Sequence, residues 1–268
     1  MEIVDQRDDI FHAFDLVKGP PLGRGSSGEV VLASAKHDPS LKVAVKIVYL
    51  ERQLWENQFD EEVALLRHLR HSHILKIVAS SWNSAYGFIF MNYYKNGTLY
   101  DTMSGPVKGP RMLRHTLDVA SALDYIHTRN IFHQDVKPEN IFLDTQDRAI
   151  LGDFGLAIRL RDSEAMVEEW VSTPGFYGPE TQAGRPMCPF KLDMYSLGIT
   201  MWMLIYKRHT VDFHPLASTD NCSNIKEPYR RILLQLLHEE PRQRWSAADL
   251  LRFSAWNSLR APQQLSTD

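Results

Sequence analysis

The first third of the chain alternates short apolar runs with turn formers. EVVLASA (29–35), KVAVKIVYL (42–50) and GFIFMNYY (87–94) are rich in β-branched and aromatic residues and predict strands. One stretch between them, ENQFDEEVALLRHLRH (56–71), returns Phe59, Val63, Leu66 and Leu69 at helical spacing and predicts an amphipathic helix. Past residue 98 the helical period takes over. RMLRHTLDVASALDYIHT (111–128) is apolar on one side and LDMYSLGITMWMLIY (192–206) almost all round, while YRRILLQLLHEEP (229–241) and SAADLLRFSAW (246–256) are amphipathic. The pattern predicts an α+β chain in two halves, a small sheet with one helix and then a helical lobe. The halves join near YYKNGT (93–98), whose Asn96 and Gly97 form turns.

Composition narrows the classes. A chain of 268 residues, 44% of them apolar, has enough material for a well-buried core. The longest apolar run, LGITMWMLIY (197–206), is about half of the ~20 residues a membrane-spanning helix needs and predicts a core helix. The opening MEIVDQRDDIFHAF lacks a basic n-region and an apolar core, so no secretory signal is expected. With 30 basic and 33 acidic side chains, the formal charge of −3 provides no overall field toward nucleic acid or anionic lipid. Neither is expected as a partner, and any anion site must be local. Two cysteines, Cys188 and Cys222, are too few for a disulfide framework or zinc cage and fit a reducing compartment, the cytoplasm or the nucleus.

Five stretches carry chemistry. IFHQDVKPENIFL (131–143) crowds His133, Asp135, Lys137 and Asn140 between apolar pairs that predict short buried strands, and charges framed this tightly need a partner or a function. GRGSSGEV (23–30) places Gly23, Gly25 and Gly28 where backbone amides can approach phosphate oxygens without an intervening Cβ. Because a strand rather than a helix follows Gly28, the dinucleotide-binding reading fails. In VAVK (43–46), alternation puts Lys46 on the same face as Ala44, and Glu62, on the inward stripe of the predicted helix, is the acid that would satisfy it. DFG (153–155) and TPGFYGPE (173–180) are irregular loops with no meaning of their own when taken singly.

Their order and spacing resemble the eukaryotic-type protein kinase domain over about residues 14–257, with PRQRW (241–245) and LDMYSLG (192–198) extending the likeness. The resemblance implies a bilobal fold: an N-lobe at about 14–91, a hinge at about 92–97, a C-lobe at about 98–257 and a short tail at 258–268. It implies Mg²⁺ and ATP, with Asp135 accepting the substrate hydroxyl's proton and Lys137 offsetting charge on the transferring phosphoryl. Lys46, held by Glu62, would bind the α and β phosphates under the loop of Gly23, Gly25 and Gly28, and Asn140 and Asp153 would hold the metal. Val30, Ala44 and Phe142 would flank adenine, Met91 would be the gatekeeper, and Asn92, Tyr93 and Tyr94 the hinge backbone. Leu66, Ile77, His133 and Phe154 match the family's internal column. Asp193 is implied to brace the catalytic loop and Arg244 to pair with Glu180. Lys137 and Thr173 resemble the serine/threonine class, so the implied partner is a protein with a Ser or Thr acceptor. Glu139 matches one acidic substrate-reading position, but Thr98 and Met203 stand at the others.

The chain departs from the family in four places. Gln134 replaces the arginine that reads an activation-segment phosphate. The residues between the apolar helix and YRRILLQLL lack helical period, so the family's helix there is expected to be short or missing. Pro20 and Pro21 interrupt the first strand, and Gly178 replaces an alanine. The segment RLRDSEAMVEEWVSTPG (159–175) already carries Glu164, Glu168 and Glu169, which Arg159 and Arg161 would pair with. We therefore expect activity independent of phosphate on Ser163, Ser172 or Thr173, controlled by abundance or a regulatory partner. The alternatives are a pseudokinase scaffold, which usually lacks a group matching Lys46, Asp135, Asn140 or Asp153, and a small-molecule or lipid kinase, which would lack TPGFYGPE.

Overall fold

In the computed structural model, which describes residues 8–25, 28–50, 53–104, 109–168, 171–183, 186–209 and 224–253, the alternating runs of the first part form an antiparallel sheet. Its strands are β1 (Leu16–Arg24), β2 (Gly28–Ala35), β3 (Lys42–Tyr49), β4 (Ile77–Trp82) and β5 (Tyr86–Asn92), paired in the order β1-β2-β3-β5-β4. Pro20 and Pro21 do not end β1. The strand runs through them with register shifts between Lys18 and Pro21 and between Pro21 and Gly23. As an edge strand it tolerates missing N–H donors.

Register sorts the side chains by face. Val31, Val45 and Phe90 lie opposite one another across β2, β3 and β5, and Ile47 lies opposite Phe88. They are buried together with Ala33 and Phe11. Phe11 comes from α1 (Asp8–Ala13), a short helix that the hydrophobic pattern does not predict, and Phe14 after it stacks on Phe90 with ring centroids 4.5 Å apart. The opposite face carries the rows Val30–Lys46–Ile89 and Leu32–Ala44–Met91. Helix α2 (Gln53–His68) packs there through Phe59, which lies against Gly87, where a Cβ would come within 2.6 Å of the ring. Phe59, Val63, Leu66 and Leu69 are all buried, as their spacing predicts. Gly28 is equally constrained, because a Cβ there would meet the Ile47 carbonyl oxygen at 1.8 Å.

The rest is mainly helical: α3 (Leu99–Thr102), α4 (Gly109–His127), α5 (Pro189–Tyr206), α6 (Tyr229–Leu236) and α7 (Ala247–Arg252). Every residue of α5 from Leu192 to Leu204 is buried, as its all-round apolar pattern requires. Reciprocal side-chain caps start α3 (Thr98 with Asp101) and α7 (Ser246 with Asp249). Two short antiparallel pairs, β6 (Ile131–Phe132) with β9 (Ile158–Arg159) and β7 (Ile141–Leu143) with β8 (Ala149–Leu151), frame the HQDVKPEN stretch. Among the described residues no helix is long and apolar enough to cross a membrane.

These elements form two compact units, one of residues to Arg70 with Ile74–Lys95 and Asp153–Leu156, the other of His71–His73, Asn96–Gly152 and the chain from Ala157. Ser26, Ser27, Glu169, Cys222, the stretch 210–223 expected to lack a regular helix, and residues 254–268 with the tail lie outside the described residues.

Because Phe11 is 3% exposed within the apolar cluster, Phe11→Ala should cost about 3 kcal/mol and lower the thermal midpoint by several degrees. A midpoint change below roughly 2 °C would show that α1 does not seal the sheet.

Candidate active site

In the mainly β unit, β3 carries Lys46 inward and α2 carries Glu62 toward it. The Lys46 ammonium reaches Glu62 Oε1 at 2.9 Å and Oε2 at 2.8 Å, and Asp153 Oδ1 at 2.9 Å, which uses its three donors on two carboxylates. Burial alone would lower the Lys46 pKa, but Glu62 and Asp153 more than reverse this and hold the ammonium above the usual lysine range. Burial pushes the Glu62 carboxyl up, with Lys46 opposing it. Asp153 has a left-handed backbone, φ +54, and the next glycine, Gly155, accepts a hydrogen bond from Gln58 Nε2 of α2. Val30, Ala44, Lys46 and Met91 share one face of the sheet. Asn92 ends β5, with its N–H on the Lys76 carbonyl at 3.3 Å, and Tyr93 and Tyr94 follow half-buried. A Cβ on Gly23 or Gly25 would meet nothing within 4 Å, so neither glycine is demanded by internal packing.

In the helical unit, the loop after β6 is fixed by a carboxylate of α5. Asp193, 1% exposed, accepts the His133 N–H through Oδ2 and the Gln134 N–H through Oδ1, both at 3.0 Å, and His127 Nε2 lies 2.8 Å from Oδ2. His133 is fully buried, with Nε2 3.1 Å from the Gly152 carbonyl. Asp135 is buried as well, and both of its oxygens are engaged. Oδ1 accepts from Thr173 Oγ1 at 2.6 Å; Oδ2 accepts from Asn140 Nδ2 at 2.8 Å and lies 2.7 Å from Lys137 Nζ. Lys137 also donates to Thr173 Oγ1 at 2.7 Å, closing a triangle that satisfies a charge which alone could not remain buried. Asn140 ends the turn Pro138–Asn140 and donates a second bond to the Asp135 carbonyl at 2.9 Å. Phe142, in β7, is bridged to Thr98.

The family model for the protein kinase domain matches residues 16–255. The chain belongs to the protein kinase domain family. Among its relatives are Aurora/IPL1-related protein kinase 2 of Caenorhabditis elegans, 24% identical over 253 residues, with 89% of this chain and 82% of that protein covered. A probable serine/threonine-protein kinase KIN1 homolog of Encephalitozoon cuniculi is 31% identical over 196 residues, 69% of this chain and 34% of that protein. Serine/threonine-protein kinase Sgk2 of Rattus norvegicus is 29% identical over 244 residues, 89% of this chain and 63% of that protein. The last two extend well beyond the length this chain spans.

In this kinase domain the segment leading to GPE is anchored at several points. Val167 and Met187 exchange backbone hydrogen bonds at 2.9 and 2.8 Å, and Ser196 Oγ donates to the Phe176 carbonyl at 2.6 Å. Gln134 Oε1 accepts the Val171 N–H at 3.2 Å. Glu180 is gripped by Arg244 Nη1 and Nη2 at 2.6 and 2.9 Å, and the same guanidinium, 1% exposed, donates to the His238 and Lys191 carbonyls and lies over the Tyr195 ring. Among the described residues Arg161 lies 3.6 Å from its own neighbour, Asp162, rather than on Glu164 or Glu168, on a side chain 95% exposed, and the expected partner Glu169 lies outside the described residues. A pair so open to water contributes little. Val171, Met187 and His127 carry no sequence signal for these contacts, because a backbone donor or a helix-end histidine reads the same wherever it occurs.

Arg244→Met should strand the Glu180 carboxylate and cost about 3–5 kcal/mol, measured by denaturant unfolding. A loss under about 1 kcal/mol would mean that the pair behaves like a surface contact.

Proposed function

We propose that this domain is a serine/threonine protein kinase that transfers the γ-phosphoryl of Mg-ATP to protein hydroxyls. The observation that carries the reading is the Asp135–Lys137–Thr173 triangle: a hydroxyl already donates to Asp135 Oδ1 at 2.6 Å with a cation beside it. An acceptor serine or threonine presented in the same way would pass its proton to Asp135 as its oxygen attacks phosphorus, and Lys137 would offset charge on the transferring group. The relatives named as serine/threonine kinases support this acceptor class.

Lys46, with its charge secured by two carboxylates, is suited to the α and β phosphates. Gly23 and Gly25, free of packing demands, let a phosphate approach the main chain without an intervening Cβ, although the Gly25 N–H is itself donated to the Gly28 carbonyl at 2.8 Å. Val30, Ala44 and Met91 present apolar surface for adenine from the sheet, Phe142 from β7, and Asn92, Tyr93 and Tyr94 offer main-chain groups. The donors fit Mg²⁺. Asn140 spends its amide nitrogen on Asp135, which leaves its carbonyl oxygen for a hard ion, and the Asp153 carboxylate is 44% exposed. Mg²⁺, when bound, neutralises charge on the phosphate oxygens. The remaining steps belong to the chain: Lys46 and the glycines orient the nucleotide, and Asp135 takes the proton.

Regulation rests on the same segment. Thr173 Oγ1 is committed to Asp135 and Lys137, the Ser172 hydroxyl is buried without a hydrogen-bond partner among the described residues, and only Ser163 of the three is exposed, beside Asp162 and Glu164. A phosphate at Ser163 would meet like charge. This kinase therefore acts without activation-segment phosphorylation and is controlled by abundance or by a protein partner.

Asp135→Asn should reduce phosphoryl transfer at least about 100-fold while calorimetric ATP affinity is retained, and comparable turnover in the variant would remove the assignment. Phosphatase-treated protein, with bare Ser163, Ser172 and Thr173 confirmed by mass spectrometry, should keep its initial peptide rate within a few-fold. A loss beyond about tenfold, restored by rephosphorylation, would refute phosphate-independent activity.

A further inference from the structure

Gln134 stands between the Asp193 brace and the proposed base. Its N–H donates to Asp193 Oδ1 at 3.0 Å, its backbone is left-handed at φ +70, and it is 9% exposed. A non-glycine residue keeps such a conformation only where its surroundings impose it. The side chain is directed too: Oε1 accepts the Val171 N–H at 3.2 Å. Two residues farther on, Thr173 Oγ1 donates to Asp135 Oδ1 at 2.6 Å. Adjacent residues of one loop thus hold positions 171 and 173 of the segment. The first link uses only the main chain of the segment, since the Val171 side chain is 64% exposed. A main-chain link sets register whatever side chain residue 171 carries.

We infer that Gln134 is a positioning residue for phosphoryl transfer. Its amide oxygen, through the Val171 N–H, holds the segment so that Thr173 meets Asp135 and Lys137, and a neutral hydrogen bond takes the place of a phosphate clamp. The inference rests on the reading of a kinase that acts without activation-segment phosphate. An amide oxygen suits this role because it accepts from N–H, whereas arginine offers donors only and would need an anion to hold.

The test compares Gln134→Met, which keeps the length and removes the acceptor, with Gln134→Glu, which keeps an acceptor oxygen, both in the full chain. Hydrogen exchange at the Val171 amide is measured alongside steady-state kinetics for peptide and ATP. In the Met variant, Val171 exchange should accelerate and peptide kcat/KM should fall roughly fivefold, the scale of one neutral hydrogen bond, with KM for ATP unchanged. The Glu variant should recover slow exchange and most of the activity. Unchanged Val171 exchange in the Met variant, peptide kinetics within about twofold of the parent, or a Glu variant as impaired as the Met variant would each overturn the role. A parent enzyme that needs segment phosphate, yet protects Val171 without it, would instead overturn the proposed regulation and leave this role standing.

Discussion

The helical unit is organised around one buried carboxylate. Asp193 sits in a buried stretch of α5, so its charge must be met by donors or the helix could not be buried there. It is met by two consecutive backbone N–H groups, of His133 and Gln134, and by His127 at the end of α4. That demand bends the loop: two adjacent N–H groups can point at one carboxylate only if the chain turns sharply, and Gln134 takes a left-handed conformation to do so. Such backbone strain, of order 1–3 kcal/mol, is offset by bonds to a charged acceptor, each stronger than a neutral one.

The turn aims the residues after it. Asp135 emerges already directed at Thr173, Lys137 and Asn140, and its buried charge is satisfied by the same groups that surround it in the proposed proton transfer. Structure and chemistry impose the same requirement here. A buried carboxylate must be surrounded by donors, and a base that accepts a hydroxyl proton must offer an oxygen to a hydroxyl. Thr173 fills that role within the chain. The segment bearing Thr173 is held in turn by main-chain links at Val167 and Val171 and by the buried Arg244–Glu180 pair, none of which uses an added phosphate.

The sequence discloses the parts of this arrangement whose spacing is local. The apolar frame of HQDVKPEN, the inward stripe of α2 and the all-round apolar α5 each follow from a period, and Lys46 with Glu62 follows from two periods combined. Elements whose stabilisation is tertiary stay hidden. Helix α1 is six residues long, too short for a period, and exists because Phe11 and Phe14 find the sheet. In β4, IVASSW holds small polar residues that weaken a strand signal, and pairing with β5 decides it. The Gln134–Val171 link joins residues 37 apart through a backbone donor, which no residue type announces.

The sheet shows how packing also aims chemistry. Because strand side chains alternate, a one-residue slip of β3 against β2 or β5 would carry Lys46 to the α1 face and leave Glu62 unpaired in the core. Two glycines oppose such a slip. Gly28 fits only opposite the backbone of Ile47 and Val48, where any side chain would strike a carbonyl oxygen, and Gly87 fits only beneath Phe59 of the helix that carries Glu62. The contacts that close the core on one face therefore fix which residues stand on the other, and Val30, Ala44, Lys46 and Met91 reach a common face through the same register that buries Val31, Val45, Ile47 and Phe90.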